Sequence, residues 1–174
     1  MNINLKDFID VVPDFPKEGI LFRDVSPLLG NREAFSWVID RISDRWNGNI
    51  DVIAALDARG FIFGGALAYA SGTPMVMLRK KGKLPGETEG ISYGLEYGSD
   101  ILEVQSGSFA SGSRVLVIDD LLATGGTAAA ACALIERLGA VVAGCSFIVE
   151  LADLGGRKAL RGREIQSLVS YGES

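Results

Sequence analysis

Histidine is absent from the 174 residues. That absence removes the Ser-His-Asp triad, the Cys-His dyad, an imidazole general base and every His-containing zinc site. Acid–base chemistry must fall to carboxylates, Lys, Tyr or the substrate itself. Cysteine is scarce: Cys132 and Cys145 stand thirteen positions apart without CxxC spacing, which excludes a redox motif or a cysteine metal cage and reads as two small buried thiols. No stretch approaches the ~18 apolar residues of a membrane span. The first residues, MNINLKDFIDVV, carry neither a basic n-region nor an apolar h-region, so a cytoplasmic, reducing location and no membrane partner are expected. Charge does not favour nucleic acid either: 17 basic against 22 acidic residues leave a net charge of −5, so only a local basic cluster could hold an anion.

What is present describes one α/β domain. Hydrophobic residues make up 48% and charged residues 22%, an ordinary globular balance, and the length suits a single domain over 1–174. Five short apolar runs predict strands, at 50–56 (IDVIAAL), 75–78, 115–118 (VLVI), 141–149 and 165–169. Such continuous runs suit parallel strands buried on both faces. Helical periodicity lies between them at 32–46, 61–70 and 127–138, the last ending at Gly139 as a C-cap. The alternation predicts a mostly parallel sheet flanked by helices, with binding at the carboxyl ends of the strands. Residues 1–31 are expected to form an N-terminal hood, in which 12–29, rich in turn residues, pack as a small cap and not as a sheet strand. Residues 79–99 (RKKGKLPGETEGISYGLEYGS) carry five glycines and dense charge without sustained periodicity. They read as a lid loop, with a plain surface excursion or flexible hairpin as the alternative.

The segment 115–127, VLVIDDLLATGGT, is the most informative. Four apolar residues make a strand, Asp119 and Asp120 stand at its end, and Thr124, Gly125, Gly126 and Thr127 open a helix. Glycines admit backbone N–H groups to a phosphate, the helix N-terminus offers unpaired donors, and Thr hydroxyls add to them. Two adjacent carboxylates suit sugar hydroxyls, or a magnesium ion carried by the substrate, better than a phosphate. A Walker A loop is excluded because no Lys follows Gly126, and a GxGxxG fingerprint is missing here. The plainer alternative is a strand end followed by a turn.

This segment resembles the motif of the type I phosphoribosyltransferase family, which binds phosphoribosyl pyrophosphate (PRPP). PDFPKEGILFRDVSPLL (13–29), DARGF (57–61), RKKGKLPG (79–86), SYGLEYG (92–98) and VEL (149–151) are similar, in order and over nearly the whole chain, to the adenine branch of that family. The resemblance implies the type I fold, with a small hood and flexible lid, and conversion of adenine and PRPP to AMP and diphosphate in purine salvage. It implies that Asp119 and Asp120 contact the ribose hydroxyls while Ala123, Thr124, Gly125, Gly126 and Thr127 wrap the 5-phosphate. Ala58, Arg59 and Gly60 would form the pyrophosphate loop, which in the family often contains a cis peptide. Arg79, Lys80 and Lys83 would add lid cations, and Leu21, Phe22 and Arg23 would flank adenine, core packing by Phe22 being compatible with that role.

Arg59 and Glu96 are the candidate catalytic residues. Arg59 would stabilise the leaving group and Glu96 would handle the purine proton, unless Glu96 is a solvated lid carboxylate. No direct metal ligand is expected, Mg²⁺ being held mainly by PRPP near Asp119 and Asp120. The family also implies a homodimer. Ala123 stands where relatives acting on hypoxanthine and guanine carry Asp, which disfavours that mechanism. A xanthine-type enzyme and a non-catalytic PRPP-binding regulator are the alternatives.

Overall fold

The computed structural model describes residues 3–95 and 98–172. A 3-10 turn, Leu5–Phe8, leads into a two-stranded antiparallel ribbon, β1 (Asp10–Pro13) with β2 (Leu21–Asp24), then a short helix, α1 (Ser26–Gly30). The hood therefore does contain strands. They pair only with each other and stay outside the main sheet.

Helix α2 (Arg32–Trp46) starts where the Asn31 side chain accepts the Ala34 N–H at 2.9 Å. It buries Ala34, Val38, Ile39, Ile42 and Trp46, one stripe at helical spacing. Strand β3 (Val52–Leu56), helix α3 (Gly60–Ser71) and strand β4 (Met75–Lys80) form one unit of the alternation, and β7 (Arg114–Leu122), α4 (Gly126–Arg137) and β8 (Val141–Leu151) form the next. A 3-10 turn, Ala152–Leu154, a short helix α5 (Gly156–Ala159) and strand β9 (Ile165–Tyr171) complete the chain. Helix α4 closes at Gly139, φ +85°, whose N–H reaches the Glu136 carbonyl at 3.0 Å while Ala140 N–H reaches that of Ile135 at 3.2 Å, a Schellman ending.

Strands β5 (Thr88–Leu95) and β6 (Gly98–Gln105) add an antiparallel hairpin, giving the order β5-β6-β4-β3-β7-β8-β9. From β4 to β9 every pairing is parallel. Residues 53–56 and 115–118 have no exposed surface, which explains their uninterrupted apolar character. Cores lie on both faces, one against α2 and α3, the other against α4.

Two expectations change here. Arg79 and Lys80 belong to β4, which continues past its apolar run because Arg79 pairs with Glu103 and Lys80 with Leu102. Residues 88–95, read as part of a lid loop with a hairpin as one alternative, form one strand of a hairpin with β6. Their ladder with β6 is covered on one face only: Leu102 and Val104 are buried, with Glu103 between them. A one-sided antiparallel strand shows alternation and no apolar run, so a search for runs passes over it. Among the described residues no helix is long and apolar enough to cross a membrane.

Candidate active site

Three cavities adjoin along the carboxyl edge of the parallel strands. The first, about 100 Å³, is lined by residues 121–128 with Asp119 and Phe147. Its loop ends at Gly125, φ +82°, the N-cap of α4, and neither a capping side chain nor an acidic residue in the first turn engages the helix's open N–H groups. Those donors are the natural partners of an anion. A Cβ on Gly126 would meet nothing nearer than Thr124 Oγ1 at 3.9 Å, so that glycine faces open space.

The second cavity, about 340 Å³, is lined by Asp57, Ala58, Arg59, Asp119, Asp120 and Leu121. It shares Asp119 and Leu121 with the first. The Asp57–Ala58 peptide is cis. Arg59 Nε donates to Asp120 Oδ2, and its guanidinium lies 5.2 Å from the Phe22 ring centre. Asp120 is 4% exposed and Asp119 half-buried. Burial raises the Asp119 carboxyl well above the ordinary carboxylate range, and the charge of Asp120 pushes it the same way. Asp119 Oδ1 accepts the Asp120 N–H at 2.9 Å. Two adjacent carboxyl groups at one strand end suit a pair of neighbouring hydroxyls.

Gly60, expected to admit phosphate, also meets a packing constraint. A Cβ there would stand 2.9 Å from both the Ile118 carbonyl and Asp119 Oδ1, so the start of α3 rests directly on β7. Asp57 was given no role by sequence reasoning, yet it gathers the cations: Arg79 Nε lies 3.0 Å and Lys83 Nζ 3.9 Å from its Oδ2. The available signal was an acidic residue at the end of a buried strand. Lys80 turns elsewhere, to Asp100 at 2.9 Å.

The third cavity, about 650 Å³, joins the hood to the loop, with Leu21, Arg23, Thr124, Leu151, Leu154 and Tyr171 in its lining. Thr124 is common to it and the first cavity. Leu21 and Arg23 line it but Phe22 does not, because successive strand side chains face opposite ways. Phe22 instead packs edge-on against Phe15, ring centres 5.1 Å apart. Arg23 stacks over Tyr171 at 3.8 Å. Leu154 and Tyr171 escaped the sequence reading since no local pattern marks them. Glu96, with its neighbour Tyr97, lies outside the described residues.

An acid pair, a glycine-opened helix and a cation-bearing loop on one edge of such a sheet define a phosphoribosyltransferase domain, and the family described as phosphoribosyl transferase domain matches residues 28–167. Among relatives, the adenine phosphoribosyltransferase of Chloroflexus aurantiacus is 51% identical over 169 residues, 97% of this chain and 98% of its own. The crystal structure of adenine phosphoribosyltransferase from Thermoanaerobacter pseudethanolicus superposes with a TM-score of 0.92 at 46% identity, covering 96% of this chain and 98% of that one. That of the Saccharomyces cerevisiae enzyme, solved with an imino-altritol bisphosphate and adenine, gives 0.89 at 42% identity, covering 95% and 96%. The chain belongs to the adenine phosphoribosyltransferase family.

Proposed function

We propose that this chain transfers the 5-phosphoribosyl group of PRPP to adenine, releasing AMP and diphosphate. The observation that carries the reading is the continuity of the three cavities through Asp119, Leu121 and Thr124, which gives a diphosphate, a sugar phosphate and a base adjoining places on one sheet edge. The yeast relative's complex with adenine and a bisphosphate supports it.

In this mechanism the N–H groups of residues 124–127 and the hydroxyls of Thr124 and Thr127 hold the 5-phosphate. Asp119 and Asp120 hold the ribose hydroxyls, and Arg59, Arg79 and Lys83 face the diphosphate. As the bond from the anomeric carbon to the diphosphate oxygen breaks, the N9–carbon bond forms, and the proton on N9 passes to Glu96. Positive charge develops on the sugar and negative charge on the leaving group, so carboxylates near the sugar and fixed cations near the leaving group stabilise the transition state more than the ground state. Leu21, Leu151 and Leu154 give the base an apolar setting. Mg²⁺ would be held mainly by the diphosphate, near Asp119 and Asp120, and would supply further charge neutralisation of the leaving group.

The chain works as a homodimer in the cytoplasm. Helix α3, GFIFGGALAYAS, carries no charge, and it exposes Ile62 and, at 94%, Tyr69, a face that suits a second copy. Sedimentation at micromolar concentration checks this, and a monomer mass overturns it. The decisive assay follows PRPP consumption with adenine, xanthine, guanine and hypoxanthine. AMP from adenine, with little turnover of the others, is expected; activity with xanthine alone, or PRPP binding without turnover, overturns the reading.

A further inference from the structure

We propose that Arg157 is a positioning residue for the 5-phosphate loop, holding that loop from behind through the Glu150 carboxylate. The proposal rests on the reading of residues 123–127 as the phosphate site.

Glu150 is the penultimate residue of β8 and is 5% exposed. A carboxylate so placed is costly unless paired and hydrogen-bonded. Arg157 supplies the pairing as a fork, Nε to Oε1 at 2.7 Å and Nη2 to Oε2 at 2.8 Å, and Nη2 also lies 3.5 Å from Ser167 Oγ on β9. Burial alone would raise the Glu150 carboxyl, but the hydrogen bonds from Arg157 and Ser167 outweigh it and hold the group below its ordinary value. Arg157 thereby ties the single turn of α5 to two strands of the sheet.

That turn carries the loop. Gly156, the residue before Arg157, is buried, and a Cβ on it would stand 2.4 Å from the Ala123 carbonyl oxygen and 2.7 Å from Leu122 Cγ. From the other side, a Cβ on Gly125 would stand 2.6 Å from the Gly156 carbonyl oxygen and 2.9 Å from Ala159 Cβ. Loop and turn therefore meet in close contact at Gly125 and Gly156, where each glycine lies against the backbone carbonyl of the other segment, with Leu122 and Ala159 packed beside them. Close-packed contacts transmit displacement, so a shift of α5 moves the carbonyl and amide groups of residues 123–125. The Glu150–Arg157 fork sets where the phosphate donors point without touching the phosphate.

The test compares Arg157→Lys, which keeps charge and loses the fork, with Glu150→Gln and the double variant. First, amide hydrogen exchange without substrate should speed up at residues 124–127 in each variant while β7 keeps its protection. Second, KM for PRPP should rise roughly tenfold, the weight of about one charge-assisted hydrogen bond, with KM for adenine and kcat within about twofold. Third, the double variant should be no worse than the poorer single one, because both remove the same contact. Unchanged loop exchange in folded variants overturns the proposal, as does a loss of Tm with both KM values unaltered. Faster loop exchange without any PRPP dependence of the wild type would instead fault the phosphate-site reading and leave the mechanical link standing.

Discussion

Arg59 donates to Asp120 across 61 residues of sequence, joining the loop after β3 to the end of β7. The pair brings the two strand ends together with opposite charges facing one another, Arg59 half-exposed and Asp120 buried. A substrate carrying hydroxyls next to a diphosphate can engage both groups, hydroxyls toward the carboxylate and phosphate oxygens toward the guanidinium. The cavity beside them is lined by the same two residues.

Replacing both Asp119 and Asp120 by Asn tests the ribose assignment. The substitutions preserve shape, and Arg59 is exposed enough to be hydrated once unpaired, so the circular dichroism spectrum should match wild type. Catalytic efficiency toward PRPP should fall on the order of a hundredfold or more, as when a transition-state electrostatic partner is removed. Near-normal efficiency would remove the assignment.

The loop glycines separate conformational from ligand constraints. Gly125→Ala forces a Cβ to within 2.6 Å of the Gly156 carbonyl at φ +82°, and should lower stability by about 1–3 kcal/mol in urea unfolding as well as weaken PRPP binding. Gly126→Ala meets no protein atom nearer than 3.9 Å and sits in a helix, where Ala is favoured, so stability should be equal or slightly higher. Its PRPP affinity should still fall, because the added methyl occupies space that the phosphate needs. Unchanged affinity in Gly126→Ala would separate this residue from the ligand.

Glu96→Gln should lower kcat by roughly 10²–10³, within the range of general acid–base catalysis, while KM for adenine changes little. Steady-state kinetics with adenine varied at saturating PRPP make the distinction. A variant with full turnover would reduce Glu96 to a lid residue and leave the proton to another acceptor.

Acid stability depends in part on Asp51, at the foot of the sheet far from this chemistry. Hydrogen bonds from the Arg114 side chain and then its backbone N–H lower the Asp51 pKa from 3.8 to about 2. An acid whose folded pKa is depressed stabilises the fold above its unfolded pKa and loses that contribution as pH falls through the folded value. Thermal midpoints should therefore fall between about pH 4 and pH 2. Asp51→Asn should show a shallower fall across that window and a slightly lower midpoint at pH 7. Parallel profiles for the two proteins would show that the pair contributes nothing measurable.

The sequence by itself determined the parts of the site that are contiguous. A buried parallel strand, an acid pair, a glycine turn and a helix start occupy residues 115–127, and each follows from local propensity, periodicity or turn chemistry. Helix α2 and the ends of the parallel strands were legible for the same reason. Tertiary structure alone decided which cation meets which carboxylate: Arg79 reaches Asp57 and leaves Lys80 to Asp100, because β4 lies between β3 and β6. It decided that Gly60 packs on β7, that Phe22 turns toward Arg59 while its neighbours line the third cavity, and that α5 packs against residues 122–125. These relations depend on strand order and on close approach between distant segments, and local patterns of hydrophobicity carry no information about either.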